Sequence, residues 1–122
     1  MNPFRDQEKF MRACDQTTDS YNHGQVALYA NLIDEEVREF NEAYKKYDHK
    51  EMLDALIDIL VVTIGAIHSM GADAEGAWKE VMRTNFAKVD SETGKVRKRE
   101  DGKVLKPQGW VAPNLAPFVE RK

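Results

Sequence analysis

The chain has 122 residues, 42% of them apolar and 32% charged, with a net charge of −3 and a pI near 5.6. This length predicts a single domain over 1–122 that buries about two-thirds of its unfolded surface as a monomer. The charge excludes a general pull towards nucleic acid or anionic membrane, and the one cysteine, Cys14, excludes an internal disulfide.

Asn2 before Pro3 predicts a helix start, and Phe4, Phe10, Met11 and Cys14 predict a short first helix ending between Asp15 and Thr18. Beside Phe10 and Met11, Cys14 reads as a buried, inert thiol. The N-terminus carries no apolar signal core. The uncharged stretch from Ile59 to Gly71 is well short of the roughly 20 residues a membrane span needs, so a cytoplasmic protein with no membrane partner is expected.

After a polar turn at Thr17-Thr18-Asp19-Ser20, a long second helix is expected from about Asn22 to Lys46. Val26, Tyr29, Ile33, Val37, Phe40 and Tyr44 form its apolar stripe. Tyr47-Asp48-His49 breaks the pattern. A third helix then runs from about Asp48 to Met70, capped by Gly71, and so short a connection makes helices two and three antiparallel neighbours. Asp73 caps a fourth helix carrying Ala77, Trp78, Val81, Met82 and Phe86.

From Asp90 the composition changes. Lys95 to Lys106 holds six basic and two acidic residues, with Asp101-Gly102 as a hairpin signal or else a mobile loop. Pro107 to Pro113 cannot be helical and is expected to drape over the surface. The fold class is therefore all-α and four-helix-bundle-like, with residues 91–122 as an irregular C-terminal segment.

Two acidic runs stand out on the helical pair. Glu36 and Glu39 lie about 60° apart on helix two, with Glu36 at the edge of the apolar stripe. Glu51, Asp54 and Asp58 fall within a sector of about 60° on helix three. Asp58 interrupts an otherwise apolar run from Leu53 to Ile67. Carboxylates in such a setting repel one another and are costly unless paired or bound to metal. Residues 34–58 hold nine Asp or Glu against four Lys or Arg, so nearby basic residues are too few. A hard divalent ion is the cheaper answer: Mg²⁺, with Mn²⁺ as a substitute. His23, His49 and His68 share no helical face with another ligand type and read as incidental.

Helix three is apolar around nearly its whole circumference apart from the acid face, more than one small chain can cover. A bundle completed by a second copy follows, as a homodimer or dimer of dimers. Carboxylates around Mg²⁺ suit a polyphosphate: the ion withdraws charge from phosphorus while a free carboxylate takes the proton of the attacking water. No cysteine nucleophile, serine-histidine pair or phosphate-cradling Gly-rich loop suggests a covalent route.

Glu35-Glu36-x-x-Glu39, followed after eleven residues by Glu51-x-x-Asp54, resembles the signature of the all-α nucleoside triphosphate pyrophosphohydrolases. That superfamily includes MazG, dimeric dUTPases and phosphoribosyl-ATP pyrophosphohydrolases. Asn85-x-x-Lys88 and Gly102-Lys-Val-Leu-Lys106-Pro-Gln-Gly109-Trp110 look like the nucleotide-closing segment of the phosphoribosyl-ATP branch, and the likeness covers roughly residues 22–115. The resemblance implies a MazG-type fold and cleavage of a nucleotide between its α and β phosphates, giving the monophosphate and pyrophosphate.

By the same resemblance Glu36, Glu39, Glu51 and Asp54 are metal ligands, and Glu35 holds a second ion or orients water. Asp58, one turn beyond the signature, is a further metal or water contact, or else binds a group on the partner subunit. Asn85, Lys88, Lys106 and Trp110 are candidates for the phosphates and base, and Gln25 and Tyr29 weaker candidates for the base. Two other readings compete. One is a nucleic-acid or protein-binding module acting through Lys95 to Lys106; the other is a metal-binding structural dimer without turnover.

Overall fold

Asn2 places its side-chain oxygen on the Arg5 amide at 2.8 Å, and Pro3 supplies the preset φ that opens α1, Pro3–Ala13. The computed structural model describes residues 2–120, with α2 at His23–Lys45, α3 at His49–Ser69, α4 at Ala74–Phe86 and a short 3₁₀ turn at Ala116–Phe118. No strand forms among the described residues, so the fold is all-α as the periodicity predicts. Asn22 and Asp48 cap α2 and α3, accepting from the amides three residues on at 3.1 Å each.

The first three helices end in the same way. Asp15, Tyr47 and Gly71 each take a left-handed conformation just past the cap, with φ of 58°, 52° and 71°. The next amides reach back to Met11, Ala43 and Ile67. Only at Gly71 is that conformation free of a Cβ penalty. Tyr47 accepts the strain, and its turn reverses the chain within three residues, Lys46 to Asp48. Cys14 becomes the C-cap of α1 and is exposed, not buried, because it lies one turn after Phe10 on the side of α1 that faces away from the core, which Gln7 and Met11 face instead.

The described residues form two compact units, one running through Ala74 and resuming at Phe118, the other Glu75–Pro117. In the first, α3 packs against α2 along its length and against α1. Met11, Tyr29 and Val62 are buried at the centre, with Leu32, Ile33 and Ala66 around them. The Tyr29 ring lies on the α3 backbone at Gly65, where any Cβ would run into it.

Polar stitches hold the α1–α2 loop down. Gln25 accepts from the Thr17 amide at 3.0 Å and donates to Ser69 Oγ at 2.8 Å, while the Asn22 amide donates to the Ser69 carbonyl at 2.9 Å. His68 Nε2 meets the Phe4 carbonyl at 2.8 Å and ties α1 to the end of α3.

Much of the apolar surface on the pair stays uncovered within one chain. Leu53, Leu56, Ile57 and Leu60 make an i, i+3, i+4, i+7 stripe on α3 and are exposed, as are Val37 and Tyr44 on α2. By length and composition α3 is apolar enough to cross a bilayer, with a third of that stretch buried. The uncharged run alone gives a shorter span because it stops at Asp58.

In the second unit the chain after α4 is pinned back to that helix. Trp110 Nε1 donates to the Thr84 carbonyl at 2.7 Å, satisfying one of the acceptors a helix end leaves open. Glu80 holds Arg83 through two 2.9 Å bonds and accepts the Asn114 amide at 2.8 Å. The Arg83 guanidinium, then the Asn114 amide, pull the Glu80 carboxyl down to about 2. The Asp101-Gly102 signal produces a minimal hairpin: Lys98 and Val104 form an antiparallel bridge, and the Arg99 amide bonds the Lys103 carbonyl at 2.8 Å.

Candidate active site

The tight turn at Tyr47 sets the phase of the helical pair. Glu39, Glu42 and Ala43 on α2, and Glu51, Asp54 and Ala55 on α3, line one cleft of about 300 Å³ together with Lys46 and Asp48. The two alanines keep the floor thin where larger side chains would fill it. Asp48 is half committed, since one of its oxygens caps α3. Lys46 is the sole cation among the lining residues, against five carboxylates.

One turn further along the pair the acids become partly buried. Glu36 is half-buried, with one carboxylate oxygen enclosed and without a hydrogen-bond partner. Burial pushes its carboxyl up to about 7, with hydrogen bonding to and repulsion from Glu39 next, then repulsion from Asp58 and Asp54. Asp58 is also raised, by burial first and then by Asp54 and Glu39. Thus Glu36, Glu39, Asp54 and Asp58 share one electrostatic environment across the helical interface, and Glu39 and Asp54 belong both to it and to the cleft.

Among the described residues no three His, Cys, Asp or Glu side chains are already gathered as a cage for an ion. Like-charged carboxylates with nothing between them have no reason to converge. The donor set nonetheless fits a hard divalent cation: every candidate ligand is a carboxylate oxygen, and the enclosed oxygen of Glu36 has no protein partner to satisfy it. Glu35, by contrast, is exposed and does not line the cleft.

The other candidates divide sharply. Asn85, Lys88, Lys106 and Trp110 come together in the second unit. Lys88 Nζ donates to Asn85 Oδ1 at 3.1 Å and stands 5.0 Å from the centre of the Trp110 ring, and Lys106 Nζ stands 4.9 Å from it. Gln25 and Tyr29 have their polar groups engaged in the fold. Gln25 is spent on Thr17 and Ser69, and Tyr29, 5% exposed, donates its hydroxyl to Gln16 at 2.6 Å. Their helical position suggests access, but the core and the α1–α2 loop hold both side chains.

Glu42, Lys46 and Asp48 are the charged cleft residues that the acidic motif does not include. A signal for Glu42 was available, because it extends the three-residue spacing of Glu36 and Glu39 by one more step.

A comparison with curated proteins returned no match. The family model of phosphoribosyl-ATP pyrophosphohydrolase matches residues 4–85, which takes in α1, both acidic runs and α4 up to Asn85 and leaves Lys88, Lys106 and Trp110 beyond it. With two-thirds of its length under that match and its acids aligned across an antiparallel helical pair, the chain belongs to the phosphoribosyl-ATP pyrophosphohydrolase family, within the MazG-like nucleotide pyrophosphohydrolases.

Proposed function

We propose that the protein hydrolyses a nucleoside triphosphate, or a related nucleotide, between the α and β phosphates, releasing the monophosphate and pyrophosphate with the help of Mg²⁺. The observation that carries this reading is the single cleft where Glu39 of α2 meets Glu51 and Asp54 of α3, with Glu36 and Asp58 in the same field behind it. Family membership supports a hydrolase of the pyrophosphohydrolase class. Glu36, Glu39, Glu51 and Asp54 would hold the ion, with Asp58 as a further contact. When bound, Mg²⁺ would neutralise phosphate charge and acidify water.

The chain's own part is positional. Two helices fix the carboxylates, and whichever of Glu36 and Glu39 keeps an oxygen free of the ion takes the proton of the attacking water as the water oxygen bonds to phosphorus. The bond from that phosphorus to the bridging oxygen breaks, and pyrophosphate leaves with the electron pair. Asn85, Lys88 and Lys106, gathered around Trp110, are proposed to contact the nucleotide. Glu35, exposed on α2, is retained only as an outer contact for water or a second ion.

A second copy of the chain is proposed to cover the exposed stripe of Leu53, Leu56, Ile57 and Leu60. Sedimentation at micromolar concentration tests it: a dimer or tetramer supports the proposal and a stable monomer removes it.

Substrate identity is tested by incubating the protein with a panel of triphosphates and phosphoribosyl-ATP, with Mg²⁺ or Mn²⁺, and identifying products by phosphorus NMR. Pyrophosphate with a monophosphate supports the reading; orthophosphate, or no turnover of any nucleotide, contradicts it. Phosphoribosyl-ATP is the second reading, favoured by the family match.

A further inference from the structure

We propose that Trp110 is a positioning residue: it holds Lys88 and Lys106 together as a clamp for the phosphate chain and does not offer its ring to a base. The proposal takes the identity of the polyanion, a nucleotide's phosphates, from the function proposed above.

Both ammonium groups lie close to one indole, at 5.0 and 4.9 Å from its centre, and so within about 10 Å of each other. The ring is not free to swing, because Nε1 is tied to the Thr84 carbonyl at 2.7 Å. Lys88 is held a second time, by Asn85 Oδ1 at 3.1 Å. Among the described residues neither ammonium is paired with a carboxylate, although Arg12, Arg83 and Arg99 all are.

Two like charges are thus gathered around an aromatic ring with no anion between them. A quadrupole attracts each cation but does not cancel its charge. The ligand that resolves this arrangement is a compact polyanion, and lysine binds phosphate as a point charge without demanding one orientation. A base stacking on Trp110 would compete with ammonium groups already over the ring. This segment therefore contributes affinity for phosphates and little choice between bases.

The test measures binding of inorganic tripolyphosphate, and separately of adenosine and uridine, by titration calorimetry in EDTA. Lys88→Gln, Lys106→Gln and Trp110→Leu are each expected to weaken tripolyphosphate by about tenfold. Trp110→Phe, which keeps a ring but loses the Thr84 bond, should retain most of the affinity. In a Trp110→Leu background Lys88→Gln should cost much less than it does alone. In turnover, Trp110→Leu should raise KM and leave kcat nearly unchanged.

Unchanged tripolyphosphate binding in the lysine variants would overturn the clamp. So would loss of nucleoside binding in Trp110→Leu with tripolyphosphate unaffected, which would make the ring a base platform. Because the calorimetry needs no hydrolysis, a protein that binds tripolyphosphate as predicted but turns over no nucleotide would sink the hydrolase reading and leave the clamp standing.

Discussion

The acidic cleft and the lysine pair are both groups of like charges, but they are assembled by different means. In the cleft, helical geometry imposes the arrangement: residues three apart on α2 and on α3 must share a face, and a three-residue turn sets the two faces against each other. The carboxylates have no choice of neighbours, and burial first, then the acids beside them, pushes Glu36 up to about 7 and raises Asp58. Around Trp110 the lysines come from the end of α4 and from irregular chain 18 residues later, and an aromatic ring gathers them. Backbone periodicity assembles the first cluster; a tethered aromatic ring assembles the second.

The largest expected effect falls on the imposed cluster. Glu39→Gln or Asp54→Asn should lower pyrophosphate release by at least about a hundredfold while far-UV dichroism stays native. Equal loss of helix content would mean that the acids are structural, and unchanged release would remove them from the reaction.

The scaffold that imposes the arrangement comes next. Gly65→Ala places a methyl group against the Tyr29 ring and should destabilise the protein by about 1–3 kcal/mol in urea unfolding, despite alanine's better helix propensity.

Smaller, and directional, is the response to pH. Glu36 has a folded-state pKa near 7 against an ordinary 4.5, so the folded state binds the proton more tightly than the unfolded one. Metal-free stability should therefore be full below about 4.5 and fall as pH rises towards 7. Asp58, also raised, adds to the same trend. Glu36→Gln should flatten the melting temperature between those limits, and a wild-type melting temperature that climbs through this window would contradict the strain. Smallest is the turn itself: Tyr47→Gly relieves a left-handed φ of 52° and should add about 0.5–1 kcal/mol.

The same contrast explains what could be read from the chain. Helix starts at Asn2, Asn22 and Asp48, the stop at Gly71 and the facing acids follow from local rules, and the four helices form where those rules place them. Tyr47 as a left-handed turn residue was hidden, because nothing in its type favours that conformation. Tyr29 and Gln25 share the face that points to the site, but partners 13 and 44 residues away, Gln16 and Ser69, claim their polar groups. Cys14 looks apolar by its neighbours, yet it shares with Phe10 the side of α1 that stays exposed. The residue types around Trp110 were legible; their arrangement depends on contacts across irregular chain that no periodicity encodes.

The most direct test of the account is a Mn²⁺ titration followed by electron paramagnetic resonance, on wild type, Glu39→Gln, Asp54→Asn and the double variant. If α2 and α3 pool their acids into one site, each single substitution weakens Mn²⁺ by more than about tenfold and the second adds little once the first is made. Independent, additive losses, or Mn²⁺ binding that neither substitution changes, would show that the two helices do not share an ion.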